Sequence, residues 1–446
     1  MKIRAPKKKA AWTYEREIER LIEKLPLDLL ADKIREKLAT KGRSLPLARR
    51  RAIAKGILRD GVRQVEITLA PGETGHDGIE LADEDFRDIL DRLDKFSSEQ
   101  LPKLTEDLIS ATSPAVLSTL NRRWPRELKK DHKAMEGFRD RLYLRWGRGL
   151  DGLRMLAKIA REVGQTNSRN RLILDGTNVK LHDAFFKLHA RACQVTEEII
   201  CLLSSGFADG AMARWRTLHE IATVSLVLSK GGEQLAERYL AHEIVETKKG
   251  ADLYQTYSER LGQDPFTPAE LDAIEREYVL ALDRYGTNFR SQNGWASEYV
   301  KKGNPNFADL EIAAGVDHLR PYYKLASHNV HANPKGVLFK LGFFGDANTL
   351  LAGPSNAGLA DPGHSTAISL NQISATILHF FPSFDNIIAV KVMSLLADTI
   401  GKEFLKAHKQ LEQDELDRRA QTVPSRRGKR GRHKDRRKKA RSKQSG

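Results

Sequence analysis

The sequence predicts a mainly all-α protein, a multi-helix bundle around a central antiparallel helical hairpin. Three observations predict it. Apolar residues recur at three and four along most of the 446-residue chain, the spacing that gives a helix one buried stripe. The densest such block, Val179 to Leu228, is interrupted only by the short glycine-bearing run Ser204-Ser205-Gly206-Phe207-Ala208-Asp209-Gly210, which suits two helices returning on each other. No apolar run approaches the roughly 18 residues of a membrane span, so a membrane is not an expected partner.

Taken in order, residues 1–10 form a basic N-terminal tail and residues 11–123 a helical region. Ile18, Leu21, Ile22, Leu25, Leu29, Leu30, Ile34 and Leu38 have helical spacing, with Pro26 expected to break the run. Val65-Glu66-Ile67-Thr68-Leu69 alternates as a strand does before a polar loop at 73–78, and a helix is expected from Asp83 to Phe96. Pro102, Pro114 and Pro125 punctuate the approach to a core domain at 124–420. That domain opens with a long helix to about Val163, in which Gly147, Gly149 and Gly152 are candidate interruptions.

In the first arm of the hairpin, Leu181, Phe185, Leu188, Ala192, Val195, Ile199 and Leu202 form the core stripe. A turn centred near Phe207 would set Glu198 against Arg216 and Gln194 near Glu220. Further helices are expected at 235–257, from Thr267-Pro268-Ala269-Glu270 (a capping box with proline in the first turn) to Tyr285, at 307–314, and at 316–331, where Tyr322 and Leu325 would face the core. Residues 337–352 depart from the helical pattern and suggest a small β-hairpin. Two closing helices, 362–381 and 383–419, precede a Lys/Arg-rich tail at 421–446.

The net charge of +16 is wholly terminal. Residues 1–10 contribute +5; residues 425–446 contribute +11 through Arg426, Arg427, Lys429, Arg430, Arg432, Lys434, Arg436, Arg437, Lys438, Lys439, Arg441 and Lys443 against Asp435. The body between them is neutral. Such tails have almost nothing apolar to bury and are expected to be disordered. They would meet RNA or DNA through counterion release, blind to sequence and weakened by salt. A solvated, solubilising tail is the competing reading.

Cys193 and Cys201 are the only cysteines; they lie eight apart in one apolar helical pattern, too few for a zinc site and expected to be too buried for a redox pair. The N-terminus lacks the apolar segment of a secretory signal, so a cytoplasmic location is expected. No phosphate-binding loop, dinucleotide fingerprint, serine elbow or complete zinc-protease motif occurs; His219-Glu220 and His242-Glu243 each lack the second histidine. No cofactor and no metal site is expected.

Two clusters remain as candidate sites. Arg214-Trp215-Arg216-Thr217-Leu218-His219-Glu220 offers fixed cations, an imidazole and a carboxylate within two helical turns, a set suited to acid–base work or to holding a phosphate. Its competing reading is an ion network within and across the hairpin. On the helix ending at His331, Arg320, Lys324, Ser327 and His331 share one stripe, a phosphate-facing surface or a solvated face, with His328 beside them.

The run Arg-Trp-Arg-Thr-Leu-His-Glu at 214–220 and Ala326-Ser327-x-x-Val330-His331-Ala332, together with Gly206 to Ala211, Tyr239-Leu240-Ala241-His242, Tyr285-Gly286 and Gly294-Trp295-Ala296, resembles a bacterial domain family of unknown function across roughly residues 125–400. The resemblance implies an all-helical domain and no established activity. Arg214 and His219 are also similar to the arginine–histidine motif of HEPN-type ribonucleases, which occur in toxins and phage-defence systems. That likeness implies a metal-independent RNase in which Arg214 holds phosphate and His219 acts near the attacking 2′-OH. The other reading is a binding or regulatory module whose body makes a specific interaction while the tails add nonspecific nucleic-acid affinity, with Arg216, Glu220, Arg320, Lys324, Ser327, His328 and His331 as binding residues. Oligomerisation is left open.

Overall fold

Apolar stripes of the predicted spacing do become helices, and helices dominate the structure, a computed structural model that describes residues 14–68, 76–168, 177–343 and 350–422. The basic segments fall outside those ranges, apart from Gln421 and Thr422, which end the last helix. The chain divides into two units, residues 1–130 and 131–446.

In the first unit, α1 (Tyr14–Thr40), α2 (Leu47–Asp60) and α3 (Asp83–Lys95) enclose a small core of Leu30, Ala31, Ile34, Leu38, Ala54, Ile57 and Ile89. The strand at 64–68 is present as β1 (Gln64–Thr68), but its partner β2 (His76–Glu80) rises from the segment read as a loop, pairing antiparallel with Val65 opposite Ile79. Ile79 and Leu81 are buried in the same core, which gives the short pair a reason to form. Pro26 does not break α1: the residues after it, Leu30, Ala31 and Ile34, are almost wholly buried, and that packing outweighs one lost backbone hydrogen bond. Pro102 likewise does not end a helix. A π-helical turn at Phe96–Gln100 widens the backbone just before it, and α4 (Leu101–Ser168) continues through Pro114 and Pro125.

The second unit is built on α5 (Val179–Ser204) and α6 (Ala208–Ala241), which pack on each other as the predicted hairpin. α12 (Ala360–Phe380) lies against both, and α13 (Phe384–Thr422) against α12. None of the three glycines interrupts α4, and two of them are packing sites: a Cβ on Gly149 would lie 2.9 Å from Phe404, and one on Gly152 2.8 Å from Ile400, so the missing side chains let α13 approach. α7 (Glu243–Leu261) precedes α8 (Pro268–Tyr285), whose capping box forms as read, with the Glu270 amide donating to Thr267 and the Thr267 amide to Glu270. α9 (Phe307–Ala314) and α10 (Arg320–Val330) follow.

Four expectations need correction. The hairpin pivots at Gly206, in the left-handed region at φ +80°, not at Phe207. That one-residue shift moves the cross-hairpin partner by two, so Glu198 pairs with Arg214 rather than Arg216, and Gln194 binds Arg191. α10 is rotated by one residue: Tyr323 and Ala326 are buried, while Tyr322 is exposed. No strand forms in the described parts of 337–352. Val337 and Leu338 end a short helix, α11 (Pro334–Leu338), whose first turn Asn333 caps through the Gly336 amide at 2.8 Å. The amides of Leu341 and Gly342 that a ladder would need donate to Asp209 of α6, at 2.9 and 3.4 Å. Finally, Cys193 is buried, as its pattern suggests, but Cys201 is exposed.

Gly206 therefore carries both a positive φ and a tight surround, since a Cβ there would lie 2.7 Å from the Phe138 ring and 2.8 Å from the Ser355 carbonyl. Gly206→Ala should lower stability by about 2 kcal/mol, the combined order of left-handed strain and overpacking, read as a shift in the urea midpoint at unchanged slope.

Candidate functional site: a charged cleft over a buried network

The residues of 214–220 spiral around α6 and leave it in four directions. Arg214 pairs with Glu198 across the hairpin and reaches Thr217 Oγ1 at 3.3 Å. Trp215 is fully buried and donates its indole N–H to Ser369 of α12 at 3.0 Å, tying the hairpin to the neighbouring helix. Leu218 enters the core. His219 is also fully buried, with Nε2 at 2.9 Å from Glu311 of α9, among the rings of Trp215, Phe307 and Tyr323.

Glu311 is as buried as His219, and its second oxygen accepts from Arg320 at the start of α10. Burial pushes the His219 pKa down, opposed by the Glu311 bond. The neutral imidazole therefore donates from Nε2 to a carboxylate whose charge Arg320 balances. The three residues lock α6, α9 and α10 together.

Above this network lies a cleft of about 1000 Å³ walled by α5, α6, α7, α9 and α10. The charged members of 214–220 that reach it are Arg216 and Glu220. Tyr323 donates its hydroxyl to Glu220 at 2.7 Å, and Arg216 lies over the Tyr323 ring, 5.0 Å from its centre. Burial, then the Glu220 hydrogen bond, pushes the Tyr323 pKa up to about 12, so the phenol stays protonated and holds the carboxylate in place. Lys180, Asp183, Lys187 and Arg191 of α5 and Glu243 and Glu246 of α7 also line the cleft, with Lys187 paired to Asp183 at 2.7 Å, and Val224, Leu310 and Trp295 add apolar lining.

The cleft is shaped by contacts remote in sequence. At Gly231-Gly232 the backbone of α6 departs from helical geometry, Gly232 at φ +71°, and the next residue, Glu233, accepts from the amides of Lys180 and Leu181, each at 2.8 Å. A carboxylate thus caps α5, whose own N-cap residue Asn178, held in the left-handed region, makes no side-chain cap bond. His242 donates toward the carbonyls of Phe289 and Ser291, at 3.0 and 2.9 Å, fixing the turn that carries Trp295. Tyr239 packs edge-on to Trp295 and lines the cleft, and its hydroxyl has no hydrogen-bond partner among the described residues.

The sequence clusters are thus divided by the structure. Arg216 and Glu220 meet at the cleft wall; Arg214 and His219 face different neighbours and neither lines the cleft. On α10, Arg320 belongs to the buried network. Lys324 is exposed, Ser327 bonds the Tyr323 carbonyl, His328 accepts from Asn333, and His331 is exposed just past the helix end. Glu311 and Tyr323 were missed. Glu311 stands alone among Leu310, Ile312, Ala313 and Ala314, and a lone acid in an apolar run is a signal that it needs a buried partner.

Residues 182–348 match the model of a family of unknown function, DUF5677. The DUF5677 region is narrower than the resemblance suggested, yet it holds both motifs, the buried network and nearly the whole cleft wall, Lys180 lying just outside it. No curated protein and no solved structure matches the chain.

Proposed function

We propose that this protein is a binding or regulatory module. Its cleft holds the charged group of a ligand, and its Lys/Arg-rich ends add sequence-blind affinity for RNA or DNA. The observation that carries the reading is the presentation of Arg216, Glu220 and Tyr323 side by side at the cleft wall, braced from beneath by His219, Glu311 and Arg320. A fixed cation, a fixed carboxylate and an unused Tyr239 hydroxyl are recognition groups. Rigid support of that kind suits binding. The ribonuclease reading gains nothing from this geometry, because the His219 ring is sealed from solvent and Arg214 is engaged with Glu198.

For the tails, the support is the charge partition itself: a neutral body between segments of +5 and +11. No described helix is long and apolar enough to cross a membrane, and the two cysteines are free, which fits the cytoplasmic setting included in this proposal.

Two measurements test the two halves. Deleting residues 425–446 should abolish binding of a fluorescein-labelled mixed-sequence RNA. With the full chain, that binding should fall by orders of magnitude between roughly 50 and 200 mM salt. Binding unchanged by the deletion overturns the tail reading. For the cleft, a thermal-shift panel of carboxylates, phosphates and amines should contain compounds that stabilise the wild type but not Arg216→Met or Tyr239→Phe. A panel without any such compound overturns the cleft reading.

A further inference from the structure

The first 30 residues of α4, 101–130, contain no buried side chain, yet they carry a line of large apolar groups. Ile109, Leu117, Leu120 and Trp124 are each 57–59 % exposed and Val116 is 49 % exposed. At 1.5 Å per residue the segment is about 45 Å of helix. Apolar side chains recur at four-residue steps through Val116, Leu120, Trp124 and Leu128, so they form a winding stripe rather than scattered contacts. An apolar stripe of this length is the mark of an interaction surface.

The charges say what covers it. The first half of the segment carries Glu106 and Asp107 against Lys103; the second carries Arg122, Arg123, Arg126, Lys129 and Lys130 against Glu127. A second copy laid parallel would set the basic ends together. A second copy laid antiparallel, crossing near Val116, sets Glu106 and Asp107 against the arginines at both ends at once. It also opposes the two helix dipoles favourably and closes as a two-fold pair, leaving no surface for further growth. We infer that residues 101–130 pair antiparallel with the same segment of a second copy of this chain.

The full-length chain should therefore run as a dimer in size-exclusion chromatography with light scattering. Reversing the acidic end (Glu106→Arg with Asp107→Arg) or the basic end (Arg122→Glu with Arg123→Glu) should weaken the dimer at least tenfold. All four sites are exposed, so circular dichroism should be unchanged. Mixing the two reversed proteins should restore dimers, now heterodimers, because one partner is basic at both ends while the other offers Glu106 and Asp107 at one end and the new acids at 122 and 123 at the other. In a Cys201→Ser background, Val116→Cys should be joined to its counterpart by a short bismaleimide, whereas Leu104→Cys should not. A monomer at all concentrations, a dimer indifferent to either reversal, or a Leu104→Cys self-crosslink overturns the inference.

Discussion

Arg320→Met should cost about 3–5 kcal/mol of folding free energy, the range for stranding one member of a buried ion pair. The reason is asymmetric burial. Glu311 has no exposed surface, whereas the Arg320 side chain is about one-third exposed at 32 %. Removing Glu311 would leave an arginine free to turn toward water. Removing Arg320 leaves a fully buried carboxylate with only the His219 N–H as side-chain partner. Methionine keeps the stem, so the loss is chiefly electrostatic. The double variant Arg320→Met/Glu311→Gln should recover much of the stability, since a neutral amide can still accept from His219. Urea unfolding of the four proteins of this cycle checks it, and a loss under about 1 kcal/mol for Arg320→Met would show that the carboxylate is otherwise satisfied.

The same substitution should reach the cleft. Tyr323 lies one turn beyond Arg320 on α10, and its hydroxyl holds Glu220 in place. If α10 loosens, Glu220 is released from Tyr323 and Arg216 loses the ring it lies over. Stability and ligand-dependent thermal shift should fall together in Arg320→Met. In Arg214→Met, whose partner Glu198 is off the cleft, the ligand-dependent shift should persist.

Elements written by local rules were legible in the sequence: the α5–α6 hairpin from its stripe and glycine turn, α8 from its capping box, α12 and α13 from periodicity. What failed was register. A pivot one residue earlier exchanges Arg216 for Arg214 opposite Glu198, and a rotation of α10 by one residue exchanges Tyr322 for Tyr323. Periodicity finds a face to within a residue or so, and a polar partner needs better than that. Proline was over-read for a related reason: at Pro26 the loss of one hydrogen bond is smaller than the burial that follows it. The cleft was illegible because its walls come from residues 180–323, joined by the Glu233 cap, the His242 clamp and the Glu311 bridge, none of which leaves a local pattern.

Buried histidines give the second large effect, through pH. His189 on α5 is 3 % exposed, with Nε2 at 3.2 Å from Ser374 Oγ on α12 and Nδ1 at 3.8 Å from the Cys193 sulfur. Burial pushes its pKa from 6.5 to about 4, and pushes the Cys193 thiol up to about 11, so both stay neutral in the fold at pH 7. Between those histidine values the unfolded chain binds a proton that the folded chain refuses. Stability from this group is therefore complete above pH 6.5 and is lost as pH falls toward 4, by about 3 kcal/mol. His219 and His242, both shifted down by burial, act in the same direction. Urea midpoints of the wild type should thus drop steeply from pH 7.5 to pH 4. In His189→Gln, less stable at neutral pH but without the imidazole, the drop should shrink by about 3 kcal/mol. An equal drop in both proteins would mean that His189 gains a proton without unfolding, which its closed surroundings argue against: a Cβ on Gly164 would lie 2.8 Å from its ring.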